Sequence, residues 1–164
     1  MKNFNFLLTL ILLFTSCSTT KQLSQAEIKA MTTKQYEANY DLVFSSSMSL
    51  LQSEGFFITN TDKSTGLINA FKEIDNKNSD LELFFLGTTK SSSNSNVAIF
   101  LSPINESITE VKITIYEGST TRTSYSRGIE NKTQNSMVQN AEIYNLWFNN
   151  LLVEIERRKA LHGE

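Results

Sequence analysis

One cysteine (Cys17), one histidine (His162) and one proline (Pro103) are all that the 164 residues hold of each. A lone cysteine excludes a disulfide within the chain and any Cys-x-x-Cys redox or zinc motif. A lone histidine near the C-terminus excludes His-Glu-x-x-His, and His162 reads as a solvated tail residue rather than a base or ligand. A Gly-rich phosphate loop and a Gly-x-Ser-x-Gly elbow are missing too. Charge is nearly balanced, since 15 Lys and Arg against 17 Asp and Glu leave a net −2. An isoelectric point near 5.5 argues against a nucleic-acid partner. The expectation is a non-enzyme without cofactor or metal.

No apolar run reaches the ~20 residues of a membrane-spanning helix. With 40% hydrophobic residues the chain reads as globular, and its length suits one domain. Losing residues 1–16 would leave enough chain to bury roughly 68–70% of its unfolded surface.

The longest apolar stretch is N-terminal. Lys2 supplies a positive start, and Phe4 to Phe14 form an apolar run broken only by Asn5 and Thr9. That is the length of a signal-peptide core. The run "LLTLILLFTSCSTT" stops at the cysteine, and Phe14-Thr15-Ser16-Cys17 resembles the lipobox of bacterial lipoproteins. The resemblance implies cleavage between Ser16 and Cys17, a diacylglycerol on the Cys17 thiol and an acyl group, such as palmitate, on its new amino group. Phe14 departs from the pattern, where Leu, Val or Ile is usual. Two or three acyl chains, each worth about 0.8 kcal/mol per buried CH₂, anchor stably where one does not. A conventionally cleaved or uncleaved signal with an idle cysteine is the competing reading. Ser18 is the residue type that directs enteric lipoproteins to the outer membrane. The expected address is the bacterial cell envelope, lipid-anchored and facing the periplasm, on the outer rather than the inner membrane. Residues 1–16 are then a signal peptide, 17–35 the lipidated cysteine and a polar tether with a short helix near Ala26 to Met31, and 36–164 one domain.

Within the domain, Tyr40, Val43, Phe44, Ser47, Met48 and Leu51 recur at helical spacing. Asn39 suits the N-cap of this helix, and Gly55 followed by Phe56 suits a Schellman end. Ser45-Ser46-Ser47 lacks a base and reads as small residues on a helix flank. The period then shortens. Phe56 to Thr61 and Leu67 to Ile74 predict a hairpin across Asp62 to Gly66. Further strands are expected from Leu81, from Val97 and over Ile108 to Gly118, with Ser91 to Asn96 as a polar loop and Pro103 at a strand end. Ser119 to Arg127 predicts a sixth strand, polar on both faces and hence at an edge. After a polar segment from Gly128 to Gln139, Asn140 caps a last helix whose C-terminal end holds Arg157, Arg158 and Lys159. Its broad apolar side combines Ile143, Trp147, Leu151 and Ile155 with Tyr144, Phe148 and Leu152. The expected class is α+β: a helix, a mostly antiparallel meander of five or six strands, and a long C-terminal helix packed on the sheet.

The stretch "YDLVFSSSMSLLQSEGFFITNTDKSTGLINAFKE", with "EVKITIYEG" and "NAEIYNLWFNNLLVEI", resembles small bacterial lipoproteins of uncharacterised function. Those share a helix ending in Leu-x-x-x-Gly-Phe, an Asp-x-x-x-Gly turn and a closing helix. More distantly, the element order resembles the helix-grip domains of the C subunit of the β-barrel assembly machinery. Fold likeness of that kind does not carry function.

Two functions fit. One is a tethered interaction or scaffold module whose partner is an envelope protein, captured by strand addition at Ser119 to Arg127. The alternative is a helix-grip protein holding a lipid or small hydrophobic ligand among Phe71, Phe84, Phe85, Phe100, Trp147 and Phe148. "DNKNSD" at Asp75 to Asp80 lacks the ligand alternation and glycine of a calcium loop and reads as a polar loop. Lys63, Lys72, Arg122 and Arg127 read as solvated. The expected site is therefore Cys17 alone.

Overall fold

A computed structural model describes residues 23–74, 89–125 and 128–162, which form three helices and six strands. In chain order these are α1 (Gln25–Thr32), β1 (Thr33–Tyr36), α2 (Tyr40–Ser53), β2 (Phe57–Asp62), β3 (Leu67–Ile74), β4 (Thr89–Asn105), β5 (Ile108–Tyr125), β6 (Gly128–Met137) and α3 (Ala141–His162). The strands make one antiparallel sheet, with α2 and α3 side by side on one face, so the fold is α+β.

Both early helices start where capping chemistry starts them. Ser24 and Glu27 form a reciprocal capping box at α1. Asn39 Oδ1 accepts from Leu42 N–H at 2.9 Å and opens α2. Gly55, at φ 79°, ends α2 in a Schellman motif: Phe56 N–H donates to the Leu51 carbonyl and Gly55 N–H to that of Gln52. Lys72 adds a donor to the Glu54 carbonyl at 2.8 Å and stands 5.5 Å from the Phe56 ring. The sheet takes up Thr33 to Tyr36, residues the sequence reading placed in or beside the tether, because β1 pairs with Thr109 to Lys112 of β5.

Asp62 builds the β2–β3 turn by accepting from the backbone and hydroxyl of Ser64, and these bonds lower its pKa. Order in the sheet runs β1-β5-β4-β3-β2, with β6 also on β5. β1 and β6 share one edge of β5, at Thr109–Lys112 and Tyr116–Tyr125, because β4 occupies the other edge.

Several expectations are corrected here. Ser91 to Asn96 is not a loop but the first half of β4, paired residue by residue with Tyr116 to Thr121. Of the strand expected over Ser119 to Arg127, residues 119–125 are neither a separate strand nor an edge: they continue β5, paired with β6 throughout and with β4 as far as Thr123, and residues 126 and 127 lie outside the described ones. A strand with ladder partners on both sides satisfies its backbone fully and so tolerates polar side chains on both faces. Gly128 to Met137, expected as a connector, is β6. Leu152 stands 41% exposed, whereas Tyr144, Phe148, Leu151 and Ile155 form the buried ridge of α3. The strand expected from Leu81 lies outside the described residues apart from its last positions, which belong to β4.

The core joins Val43, Phe44, Leu50 and Leu51 of α2, Ile68 and Ala70 of β3, Val97, Ile99 and Leu101 of β4, Val111, Ile113 and Ile115 of β5, and the α3 ridge. Phe56 meets Trp147 edge-on at 5.6 Å. Buried hydroxyls tie the layers together, with Tyr36 donating to the Phe148 carbonyl at 2.7 Å and Thr109 to the Ala38 carbonyl at 3.0 Å.

Near the end of α3, Glu154 accepts from Arg157 and Arg158. Bonds from Arg157 above all, with Ser49 and Arg158, pull its pKa down to about 2. A folded pKa below the unfolded value stabilises the protein above the unfolded pKa, and this is lost as pH falls toward the folded one. Thermal melts of wild type and Glu154→Gln are thus expected to differ at pH 6 and to converge as pH falls from about 4.5 to about 2. A gap that persists at pH 2 would remove the charge as its cause.

Candidate functional site

β4 and β5 run for 17 and 18 residues, or roughly 55–60 Å of strand. Among the described side chains of this hairpin, the buried apolar ones occupy Val97 to Leu101 and Val111 to Ile115. Beyond them, "TKSSSNSN" of β4 and "GSTTRTS" of β5 contain no apolar residue, and "GIENKTQNSM" of β6 completes a three-stranded polar arm. Backbone ladders on both sides of β5 hold it.

Among the described residues no strand lies on the outer edge of β6. Val138 N–H donates to the Ile115 carbonyl at 2.9 Å, which sets the phase of the ladder. Even-numbered residues of β6 turn their N–H groups toward β5, and Ile129, Asn131, Thr133 and Asn135 turn theirs outward. The strand is ten residues long, and alternate residues along it present their backbone groups to this open side.

Gly118 sits mid-arm between Asn94 of β4 and Asn135 of β6. A Cβ there would come within 2.1 Å of Asn94 Oδ1 and 2.2 Å of Asn135 Oδ1, so the two amides close over the glycine. On the side of the sheet that carries the core, Ser93, Glu117, Ser119, Gln134 and Ser136 line a polar groove of about 440 Å³. It offers hydroxyl, amide and carboxylate groups, and no nucleophile–base pair.

The opposite sheet face is covered by no described helix. Phe57, Phe100 and Tyr116 stand out from it, with Phe71 and Leu67 half-buried between them. The aromatics expected around a ligand therefore do not gather: Phe71 and Phe100 lie on this face, and Trp147 and Phe148 on the helical side. Phe84 and Phe85 lie outside the described residues.

Cys17, the single site residue expected from sequence, also lies outside them, as does the Asp75 to Asp80 loop. The serine run is structural: Ser45 and Ser47 donate to carbonyls one turn back in α2, and Ser46 is buried without a partner. Lys63 pairs with Asp41 at 2.9 Å, and Lys72 serves the α2 cap, so neither is simply solvated. No group of three or more metal-ligating side chains occurs among the described residues, and none of their helices is long and apolar enough to cross a membrane. The β6 edge leaves little mark in the sequence because its residues lack alternation of apolar and polar types. Its sequence signal is the run of strand-length polar segments at matched spacing.

No protein-family model matches the chain. No curated protein matches it either. Among solved structures it is similar to the adenylate sensor of AMP-activated protein kinase, determined in complex with the ribonucleotide ZMP, at 10% identity and a TM-score of 0.39. The match covers 74% of this chain and 93% of that one, and a likeness this weak carries no argument about function.

Proposed function

We propose that this chain is a lipid-anchored protein of the bacterial envelope, held by acyl chains on Cys17, and that it works without catalysis as an interaction module. Strand addition on β6 is the mode of capture. The observation that carries this reading is the ten-residue β6, whose outer edge no described strand pairs, at the end of an arm in which residues 89–96 of β4 and 118–124 of β5 include no apolar type. Edge N–H and C=O groups supply affinity to an added strand, and the flanking side chains supply choice. The lipobox resemblance of Phe14 to Cys17 supports the anchor.

Intact cells carrying the tagged full chain test both halves. Labelled palmitate is expected on the wild type and not on Cys17→Ala; label on the variant, or none on the wild type, would end the anchor reading. Crosslinking and mild-detergent purification are expected to recover one envelope protein in near-equal amount. Thr133→Pro removes an outward donor and spares the β5 ladder, so the partner should be lost with the circular dichroism spectrum unchanged. A partner retained by Thr133→Pro would eliminate strand addition on β6.

A further inference from the structure

The uncovered sheet face carries Phe57, Phe100 and Tyr116 at 75%, 48% and 41% exposure. The register places Phe57, Phe71, Asn96 and Tyr116 in one row across four strands, with Phe100 four residues along β4, opposite Leu67 and Lys112. Asn60, Asn69 and Thr114 stand between these positions on the same face. Rings mixed with amides and hydroxyls suit the headgroup layer of a bilayer, where one part of a surface is apolar and the next is wet.

The length of chain ahead of α1 decides what can lie there. Cys17 precedes Leu23, the first described residue, by six positions, which span at most about 21 Å when fully extended. α1 stands where this face meets β1: Ile28, Lys29 and Thr32 line, with Phe100 and Lys112, a groove of about 490 Å³. Glu110, also in the groove, is engaged by Gln35 at 3.4 Å. The far side of the molecule is less suited, since the exposed Leu146, Leu152, Val153 and Leu161 of α3 are aliphatic, are interrupted by Glu142, Asn145, Asn149 and Glu156, and bring no exposed ring among the described side chains.

We infer that the uncovered sheet face lies on the lipid surface that holds the Cys17 acyl chains, with Phe57, Phe100 and Tyr116 at headgroup level and Lys29 and Lys112 against lipid phosphates. The inference rests on the lipid-anchor reading. A short tether then works as a clamp: it fixes which face meets the bilayer and leaves the β6 edge and the α3 surface open to the periplasm.

The test uses the full lipidated protein, purified from membranes and reconstituted in phosphatidylethanolamine–phosphatidylglycerol vesicles. Nitroxide labels go on Phe57→Cys, Phe100→Cys and, as the far-side control, Leu146→Cys; an acylated Cys17 sulfur is a thioether and takes no label. The ratio of oxygen to water-soluble nickel collision rates is expected to be about threefold higher at positions 57 and 100 than at 146. Equal ratios at all three positions, in protein whose mass includes the acyl chains, would overturn the docking and leave the anchor standing. A mass without acyl chains would overturn the anchor, and the docking with it.

Discussion

Gly66→Ala is expected to lower the unfolding free energy by about 3–4 kcal/mol, a large part of the ~5–15 kcal/mol typical of a domain. Two effects add. Gly66 holds φ 79°, a conformation that costs an L-residue roughly 1–2 kcal/mol. A Cβ at this position would also stand 2.1 Å from the Leu101 carbonyl oxygen, with the carbon of that carbonyl at 3.1 Å. Neither group yields easily. Leu101 is 2% exposed in the core, and its N–H accepts no other geometry cheaply because it donates to the Gly66 carbonyl at 2.9 Å. Moving the turn away therefore breaks the bond that joins it to β4, adding the roughly 1–3 kcal/mol of an overpacked site. Gly55 separates the two causes. It has the same φ of 79°, but a Cβ there would meet only the end of the Lys72 side chain, at 3.6 Å or more. Gly55→Ala is expected to cost about 1 kcal/mol. Urea unfolding of both variants measures the difference, and equal losses would show that the collision with Leu101 is relieved by a small shift.

The parts of this fold that sequence reveals are those where one residue type is demanded by one local geometry. Asn39, Gly55 and Asp62 each perform the cap or turn role their chemistry dictates, and the bounds of α2 and of the β2–β3 hairpin follow from them. Apolar alternation at Val111, Ile113 and Ile115 likewise marks a half-buried strand. The polar arm has no such mark. Ser91 to Asn96 and Ser119 to Ser124 are extended because they pair with each other and with β6, a long-range cause that leaves no period in either segment. The same blindness moved the candidate edge. Ser119 to Arg127 reads as polar and hence peripheral, yet β6 covers it and becomes the edge in its place. Leu152 departs from its expected burial for a different reason: a helical face drawn from spacing alone does not say where the apolar stripe stops, and the buried ridge of α3 runs through Leu151 instead. Cys17 lies at the other extreme: the proposed anchor rests on four residues, Phe14 to Cys17, and owes nothing to the fold.

Tyr144→Phe is the second large effect, expected to cost about 2–4 kcal/mol although it removes a single oxygen. β1 ends its pairing with β5 at Lys112, and β6 takes up pairing at Tyr116, so the edge of β5 is interrupted at the core. The Tyr144 hydroxyl fills that interruption. It accepts from the Ile115 N–H at 3.3 Å and donates to the Val138 carbonyl at 3.0 Å, standing in for the return bond of a pair whose other bond, Val138 N–H to the Ile115 carbonyl, is made directly. Tyr144 is fully buried, and this burial raises the pKa of its phenol, so water cannot replace the lost oxygen without opening the core. Phenylalanine would fill the same space while leaving the buried Ile115 N–H and the part-buried Val138 carbonyl unmet, at roughly 1–3 kcal/mol each, the carbonyl at the low end. Tyr36→Phe provides the comparison. Its hydroxyl donates to the Phe148 carbonyl within α3, which keeps its place in the helix when that bond is lost, so the cost is expected near 1 kcal/mol. Hydrogen exchange would locate the damage as well as its size. In Tyr144→Phe the Ile115 and Val138 amides should lose protection ahead of the rest of the core, freeing β6 from α3; uniform loss across the sheet would mean that the hydroxyl acts through global stability and not as the link between the arm and the core.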